Sequence, residues 1–553
     1  MSALPLPDTS GTATSSAPVL LPPDPRHGWR RRETASGTLH TAGDVAVDAA
    51  LMPLLAKGRM PDATALAAAV KPVRACWAAL VAGPDGVAAA VDHIRSLPLF
   101  HVDGPGGIVV GDDARTVAAA AGKSNVDPVA AEELALAGYA TGNRTLLQGL
   151  VQLVAGEVRV WRRDGASGRA LHHEFSPVTD ETAPPVGTAE LGTALDAAFD
   201  RLVAGASGRP VWVPLSGGLD SRLVLAKLVE RSYRPLVAFS YGPRGNSDAV
   251  VARAVARRLG VDWLFVDTPG TDVRAYFSSQ ARRDYWGFCD GFCSVPNMQD
   301  VHPLAAMRTR GVLPADALIV NGQTGDFISG AHIPARLLAQ VQVSPEVLLD
   351  AIIDKHFALW RPLLDSRRRA ALRRRIGDAL ALDPDGADMP RAAATSGFER
   401  FEFAERQAKF VVNGQRAYEW HGLGWGLPLW DRDIVELFAR APLGQRRDQT
   451  LYRRYLDDWD YRGAFSGVTR KVTGWSPAAQ AVVTPLAIAL RLLVGRARRD
   501  RLVGYLNYWD RFGAQYAAFG FRAYARHREA LRNPVSLYAR AWLAEQNIDP
   551  DTL

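Results

Sequence analysis

The stretch PLSGGLDSRLVLAKL, from Pro214 to Leu228, constrains this chain more than any other. An apolar run, VWVPL, empties into a turn of small residues, and a leucine-rich helical pattern follows at once. A short glycine-rich turn at the carboxyl end of a parallel strand exposes backbone N–H groups. The next helix points its positive dipole end at the same spot, so the turn is an anion cradle. Ser216 and Ser221 add hydroxyl donors. Asp220 adds a carboxylate, which disfavours a phosphate unless a divalent cation lies between them. The chemistry implied is a polyphosphate held with magnesium. No Gly-Lys-Ser/Thr ends the loop, which excludes a GTPase or ordinary ATPase reading. The spacing also differs from G-x-G-x-x-G, which argues against a dinucleotide fold.

The rhythm around the turn sets the fold class. A helix (AELGTALDAAFDRLVAG) precedes VWVPL; strand PLVAFSYG, helix SDAVVARAVARRLG and strand DWLFVD follow. A further strand, ALIVNGQ at 317–323, meets a second small-residue turn, TGDFISG. Strands alternating with amphipathic helices predict α/β architecture with a doubly wound parallel sheet. Beyond about residue 335 the pattern is almost wholly helical. Before residue 180 the runs GVAAAVDHI, LPLFHV, GGIVVGD, GEVRVWRR and ALHHEF read as strands, with helical VDPVAAEELALAG among them. That half is α+β with much antiparallel sheet. SPVTDETAPPVGT at 176–188 reads as a linker. With 553 residues, too many for one core, the expected organisation is a disordered leader at 1–29, one domain at 30–180 and another at 181–553.

The net charge is +7, and much of the excess lies in RHGWRRR at 26–32, RRRAALRRR at 367–375 and GRARRDR at 495–501. These read as solvated helix faces, and with no RNA module no nucleic-acid partner is expected. Cys76, Cys289 and Cys293 are too few for a disulfide framework and fit a reducing cytoplasm. The FCDGFC pair falls short of a zinc site. The start lacks the order of a signal peptide. AVVTPLAIALRLLVG at 481–495, broken by Pro485 and Arg491, reads as a buried C-terminal helix; the alternative is a weak peripheral contact with a membrane.

SGGLDS at 216–221 resembles the PP-loop of ATP pyrophosphatases, which cleave ATP to AMP and pyrophosphate while adenylating a substrate. Within that group the chain resembles the asparagine synthetase family, which includes β-lactam synthetases and lasso-peptide cyclases. FSYG at 239–242 is similar to the family's second strand, and NGQTGDFISG at 321–330 to its second magnesium loop. LPLWDRDIVELFARAP at 427–442 and TRKVTGWSP at 469–477 resemble later segments, the last bearing the catalytic lysine. The resemblance implies ATP and Mg²⁺ as cofactors, with Asp220 and Asp326 holding magnesium. It implies Leu215, Ser216, Gly217, Gly218, Asp220 and Ser221 around the pyrophosphate, Ser240, Gly242 and Gly322 at the nucleotide, and Lys471 stabilising charge on the reacting groups.

Several positions depart from the family pattern. The second loop carries Gln323 where an acid or tyrosine is usual, and glutamine orients but takes no proton. A general base then comes from elsewhere, with Glu402 and Glu405 the candidates; both also fit i,i+4 pairs with Arg406 and Lys409. Phe327 replaces an acid, and Arg222 either adds a phosphate contact or covers the helix start. The family's N-terminal glutaminase domain opens on a cysteine nucleophile. Here Ser2 precedes a Pro- and Ser-rich leader, the glutamine-pocket motif has no match at 30–80, and Cys76 cannot substitute for a terminal residue. The expected fold is therefore a degenerate Ntn-hydrolase-like sandwich followed by the PP-loop synthetase domain. The function implied is an AMP-forming amide ligase without its own glutamine hydrolysis. Its partners would be a small-molecule, sugar or peptide carboxylate and an amine or ammonia. The alternative is a catalytically inactive, nucleotide-binding relative serving as scaffold.

Overall fold

The computed structural model describes residues 17–467 and 517–553, with isolated positions at 485, 488, 489 and 495. Its N-terminal half is a sandwich. A four-stranded sheet has the order β1 (Val19–Leu20), β7 (Gly107–Gly111), β6 (Phe100–Gly104), β8 (Leu150–Gln152). A six-stranded sheet has the order β10 (Ser167–Leu171), β9 (Glu157–Arg162), β5 (Gly86–Val91), β4 (Trp77–Gly83), β3 (Gly37–Gly43), β2 (Arg30–Thr34). Side chains alternate across a strand, and here both faces are covered, so β4 and β5 read as nearly continuous apolar runs. Leu80, Ala89 and Val91 meet Leu99, Val110 and Leu153 between the sheets. Val81, Ala88 and Ala90 face Val47, Leu51 and Leu66 of the outer helices Ala46–Leu55 and Ala63–Val70. The helices Ala114–Ala120 and Pro128–Ala137 cover the opposite face.

The sequence predicts disorder through residue 29, but the later part of that segment is ordered: β1 pairs in parallel with β7, Val19 opposite Val109. The Asp24 N–H and the Trp29 indole N–H both donate to Asp112, at 3.0 and 2.7 Å. His27 Nδ1 lies 2.6 Å from Glu419 Oε2, across the domain boundary. A few anchoring side chains hold this segment, and its overall composition does not register them. Residues 1–16, Ser2 among them, lie outside the described residues.

Between the sheets, the ring of His101 of β6 lies tilted against Trp161 with centroids 4.8 Å apart, and burial pulls its pKa down to about 3. The unfolded chain takes up this proton below pH 6.5 and the folded chain does not, so His101 costs stability as pH falls from about 6.5 toward 3. His101→Phe should gain on its parent by about 1.4 kcal/mol per pH unit across that window, measured by denaturant unfolding at pH 7, 6 and 5. A constant difference would show that the imidazole titrates normally.

The second half is built on a parallel five-stranded sheet, ordered β13 (Asp262–Asp267), β12 (Leu236–Gly242), β11 (Val211–Pro214), β14 (Leu318–Val320), β17 (Gly424–Gly426). A separate antiparallel pair joins β15 (Gln342–Val343) to β16 (Met389–Pro390). Helices cover both faces of the large sheet. Val211, Val213 and Val320 pack against the helices Thr188–Ala206, Leu219–Glu230 and Thr450–Trp459. Trp212, Phe239 and Ile319 join the other core, which runs on into Phe100 and Leu134 of the N-terminal domain. Strand order reverses between β11 and β14, and in doubly wound sheets ligands bind at that switch point. β17 has no strand-like composition. Its glycines allow close packing, because a Cβ on Gly426 would stand 2.7 Å from Leu202 Cδ1.

The expected linker is fastened down: the Val178 N–H donates to Ala439 O at 2.7 Å and the Ser396 hydroxyl to Pro177 O at 2.7 Å. The basic run 367–375 is largely neutralised within the fold. Arg369 and Arg373 reach Asp350, while Arg368 and Arg375 reach Glu132 of the N-terminal domain. Among the described residues no helix is long and apolar enough to cross a membrane. The segments at 481–495 and 495–501 fall almost wholly outside those residues.

Candidate functional site

Both small-residue turns sit at the carboxyl ends of the two strands flanking the switch point. After β11, Leu215 hands its N–H to Phe239 O at 2.7 Å and Ser216–Gly218 turn into the helix Leu219–Glu230. Gly218 is the N-cap with an extended backbone, so Asp220 and Ser221 lie in the first helical turn, where N–H groups have no intrahelical acceptor. The Ser221 hydroxyl oxygen accepts from the Ser216 N–H at 3.1 Å, and Ser216 Oγ accepts from the Gly218 N–H at 3.1 Å. The Ser240 hydroxyl donates to Leu215 O at 2.6 Å, which ties β12 to the loop. Gly242 ends β12 at φ +129, a conformation that suits glycine. Arg222 is buried and its guanidinium donates to Gly217 O at 2.6 Å, so it grips the loop backbone from beneath. Asp248, near the start of the next helix, accepts from the Gly217 N–H at 3.2 Å.

The second turn follows β14 and opens the short helix Gly325–Ile328. The Asp326 N–H donates to Asp220 Oδ2 at 3.0 Å, and the Tyr452 hydroxyl donates to Asp220 Oδ1 at 2.8 Å. The loops touch so closely that only glycine fits. A Cβ on Gly322 would stand 2.7 Å from the Asp220 carbonyl carbon, and one on Gly325 would stand 2.6 Å from Asp220 Oδ1. Burial, helped by the neighbouring Asp326 charge, pushes the Asp220 carboxyl up to about 7. Burial acts on Asp326 in the same direction, but the His332 hydrogen bond and charge, with the Thr324 hydroxyl and the Phe327 N–H, bring it down to about 2. His332 spans two carboxylates, with Nε2 at 3.2 Å from Asp326 and Nδ1 at 2.5 Å from Glu402.

Two facing carboxylates, one driven toward its neutral form, are a hard oxygen donor pair of the kind magnesium takes. The cation would relieve their repulsion, and phosphate oxygens and water would complete its shell. The residues present therefore fit Mg²⁺ held by Asp220 and Asp326.

The structure separates the two candidate bases. Glu402, fully buried, faces His332 and takes a further bond from Gln407 at 3.1 Å. Glu405 is turned away. It is ion-paired with Lys409 and accepts from the Gly142 N–H at 3.1 Å, at the boundary with the N-terminal domain. The expected Glu402–Arg406 pair is present at 3.4 Å. Gln323 lies beside the site with its oxygen accepting from Gln415 Nε2 at 2.8 Å; Gln415 in turn accepts from Asn321 at 3.0 Å. Phe327 is buried among Phe175, Phe403 and Trp430, so it packs. Lys471 lies outside the described residues. Tyr452, Asp248 and His332 escaped the sequence reading. Of these only His332, six positions after Asp326, carried a signal.

Among the described residues no group of three His, Cys, Asp or Glu side chains suits a metal ion, and the three cysteines are free thiols. Burial pushes the Cys76 thiol well above its ordinary value, which keeps it protonated.

Residues 190–458 match the family model described as asparagine synthase; the match contains both turns, Glu402 and Tyr452. A stretch of 70 residues is 36% identical to the 7-cyano-7-deazaguanine synthase of Polynucleobacter asymbioticus, covering 12% of this chain and 28% of that protein.

Proposed function

Because residues 190–458 place this chain in the asparagine synthase family, we propose that it is an AMP-forming amide ligase. A substrate carboxylate attacks the α-phosphorus of ATP, giving an acyl-adenylate and pyrophosphate. An amine or ammonia then attacks the acyl carbon, AMP leaves, and the amide forms. The observation that carries this reading is the contact between the two aspartate loops at the switch point.

Each part of the loop has a task. The N–H groups at the start of the helix Leu219–Glu230 and the Ser216 and Ser221 hydroxyls bind phosphate oxygens. Arg222 and Asp248 hold the loop in shape by its own carbonyl and N–H. Asp220 and Asp326 would hold Mg²⁺, which supplies charge neutralisation on the phosphates. Lys471, by resemblance, steadies negative charge at the reacting centre. We assign the attacking amine's proton to the His332–Glu402 pair and not to Glu405, which is engaged with Lys409 and Gly142. The nitrogen then enters as ammonia or as an amine, with the N-terminal sandwich serving as a degenerate glutaminase relative. Substrates of the right kind include a uronic acid, a peptide side-chain carboxylate or a small β-amino acid.

The test is product identity. Incubation with ATP, Mg²⁺ and a panel of carboxylates and amines should give AMP and pyrophosphate in equal amounts, abolished by chelation. ADP as product would overturn the reading. ATP binding without turnover on any substrate would favour the scaffold alternative.

A further inference from the structure

We propose that Gln323 donates its side-chain amide N–H to the acyl oxygen of the activated substrate, and that Gln415 is the positioning residue that aims it. The inference rests on the adenylating reading above. Gln323 follows β14 at the carboxyl edge of the parallel sheet, the edge at which ligands bind in doubly wound folds, and it opens the turn that carries Asp326. Its side-chain oxygen is occupied by Gln415 Nε2. Which way round these two amides stand decides what Gln323 offers a substrate, and their neighbours permit one answer.

The direction is set by groups that cannot reverse. The backbone N–H of Gln323 donates to Asn321 Oδ1 at 3.1 Å, so the amide nitrogen of Asn321 points the other way. That nitrogen lies 3.2 Å from the Tyr418 hydroxyl oxygen and 3.0 Å from Gln415 Oε1. Tyr418 can accept there because its own proton goes to Asp300 Oδ2 at 2.6 Å, and Tyr241 donates to the other oxygen of the same carboxylate. Gln415 can meet a donor only with its oxygen, which turns its Nε2 toward Gln323 at 2.8 Å. Gln323 meets that donor with its own oxygen, and its Nε2 is left over. This nitrogen has no acceptor among the described residues. Gly414 beside it has no side chain to cover it, and an added Cβ there would stand 3.7 Å away. Asn321, Gln415 and Tyr418 are buried, so water cannot repair a reversed amide. When the amine attacks the acyl carbon, the carbonyl π pair moves onto oxygen, where the negative charge meets this preorganised N–H. The pair then returns to expel AMP, and the amine's proton goes to the His332–Glu402 pair. A carboxylate in place of Gln323 would face the same oxygen with like charge.

The experiment measures AMP and pyrophosphate release by the full chain with the carboxylate and amine that the panel above identifies. Gln323→Met removes the donor, and Gln323→Glu keeps the shape but, ionised, only accepts. Each should lower kcat about tenfold or more while the KM for ATP stays within about twofold. Gln415→Met, checked for native circular dichroism, should lower kcat about threefold or more. It should cost nothing further in the Gln323→Met background, because it acts through the same amide. Parental kcat in Gln323→Glu would overturn the proposal, since the position would then work as an acceptor or a base. So would parental kcat in Gln323→Met, or a loss in Gln415→Met that multiplies with that of Gln323→Met. The Gln323 variants decide the donor whether or not Gln415→Met folds. A parent that forms no AMP with any pair refutes the adenylating function and this inference with it; an active parent with indifferent variants refutes this inference alone.

Discussion

Asp220→Asn is expected to reduce pyrophosphate release by about 1,000-fold or more while the protein stays folded. Asparagine keeps the shape: its side-chain oxygen accepts from the Asp326 N–H while its amide N–H donates to the Tyr452 hydroxyl oxygen. What it removes is the charge. Asp220 is the carboxylate that burial and Asp326 drive up to about 7, so the folded protein holds an anion there at a cost that a divalent cation would offset. The neutral variant should therefore be at least as stable as its parent in thermal unfolding without Mg²⁺, and should lose the stabilisation that Mg·ATP confers on the parent. Full activity in the variant would remove Asp220 from the chemistry. A collapse in stability would show that its role is structural.

Gly325→Ala is expected to lower kcat by about 100-fold with little change in secondary structure. The added Cβ would lie 2.6 Å from Asp220 Oδ1 and 2.7 Å from its Cγ, with Leu429 Cδ1 at 2.9 Å behind it. Relief comes only by moving one aspartate loop away from the other. Gly208→Ala is the matched control: it too is a glycine, at φ +76, but it has open space around it and lies at the far end of β11. It should lose stability through backbone strain and leave turnover of the folded fraction intact. Similar kcat in Gly325→Ala and the parent would mean that the approach of the loops is incidental.

Much of this site could be read in the sequence because its parts are local. A strand and a turn of small residues declare themselves twice, at 211–221 and at 317–330, and a helical pattern follows the first at once. The fifth strand was hidden because it is three residues long and two of them, Gly424 and Gly426, are poor strand formers; its pairing with β14 depends on the closeness that glycine permits. Glu402 and Glu405 could not be told apart at helical spacing, where positions three apart share a face. In the structure the helix Arg391–Glu402 passes into a π-helical stretch at Phe403, and the wider turn sends the two carboxylates to different neighbours. Tyr452 and Asp248 reach the loop from distant segments, and no local pattern records such a meeting. The charged run at 367–375 illustrates the converse. Its composition was plain, but its partners Asp350 and Glu132 lie on elements that only the fold brings near.

The core that joins Phe100 and Leu134 to Trp286 and Ile319 has a consequence for anyone wishing to divide this molecule. A synthetase fragment beginning at the linker would bare a wide apolar wall, and it would leave Arg368 and Arg375 facing water without Glu132. Such a fragment should precipitate when expressed alone, and stay in solution when the N-terminal half is supplied as a separate chain. The N-terminal half thus covers an apolar wall of the half that carries the two aspartate loops.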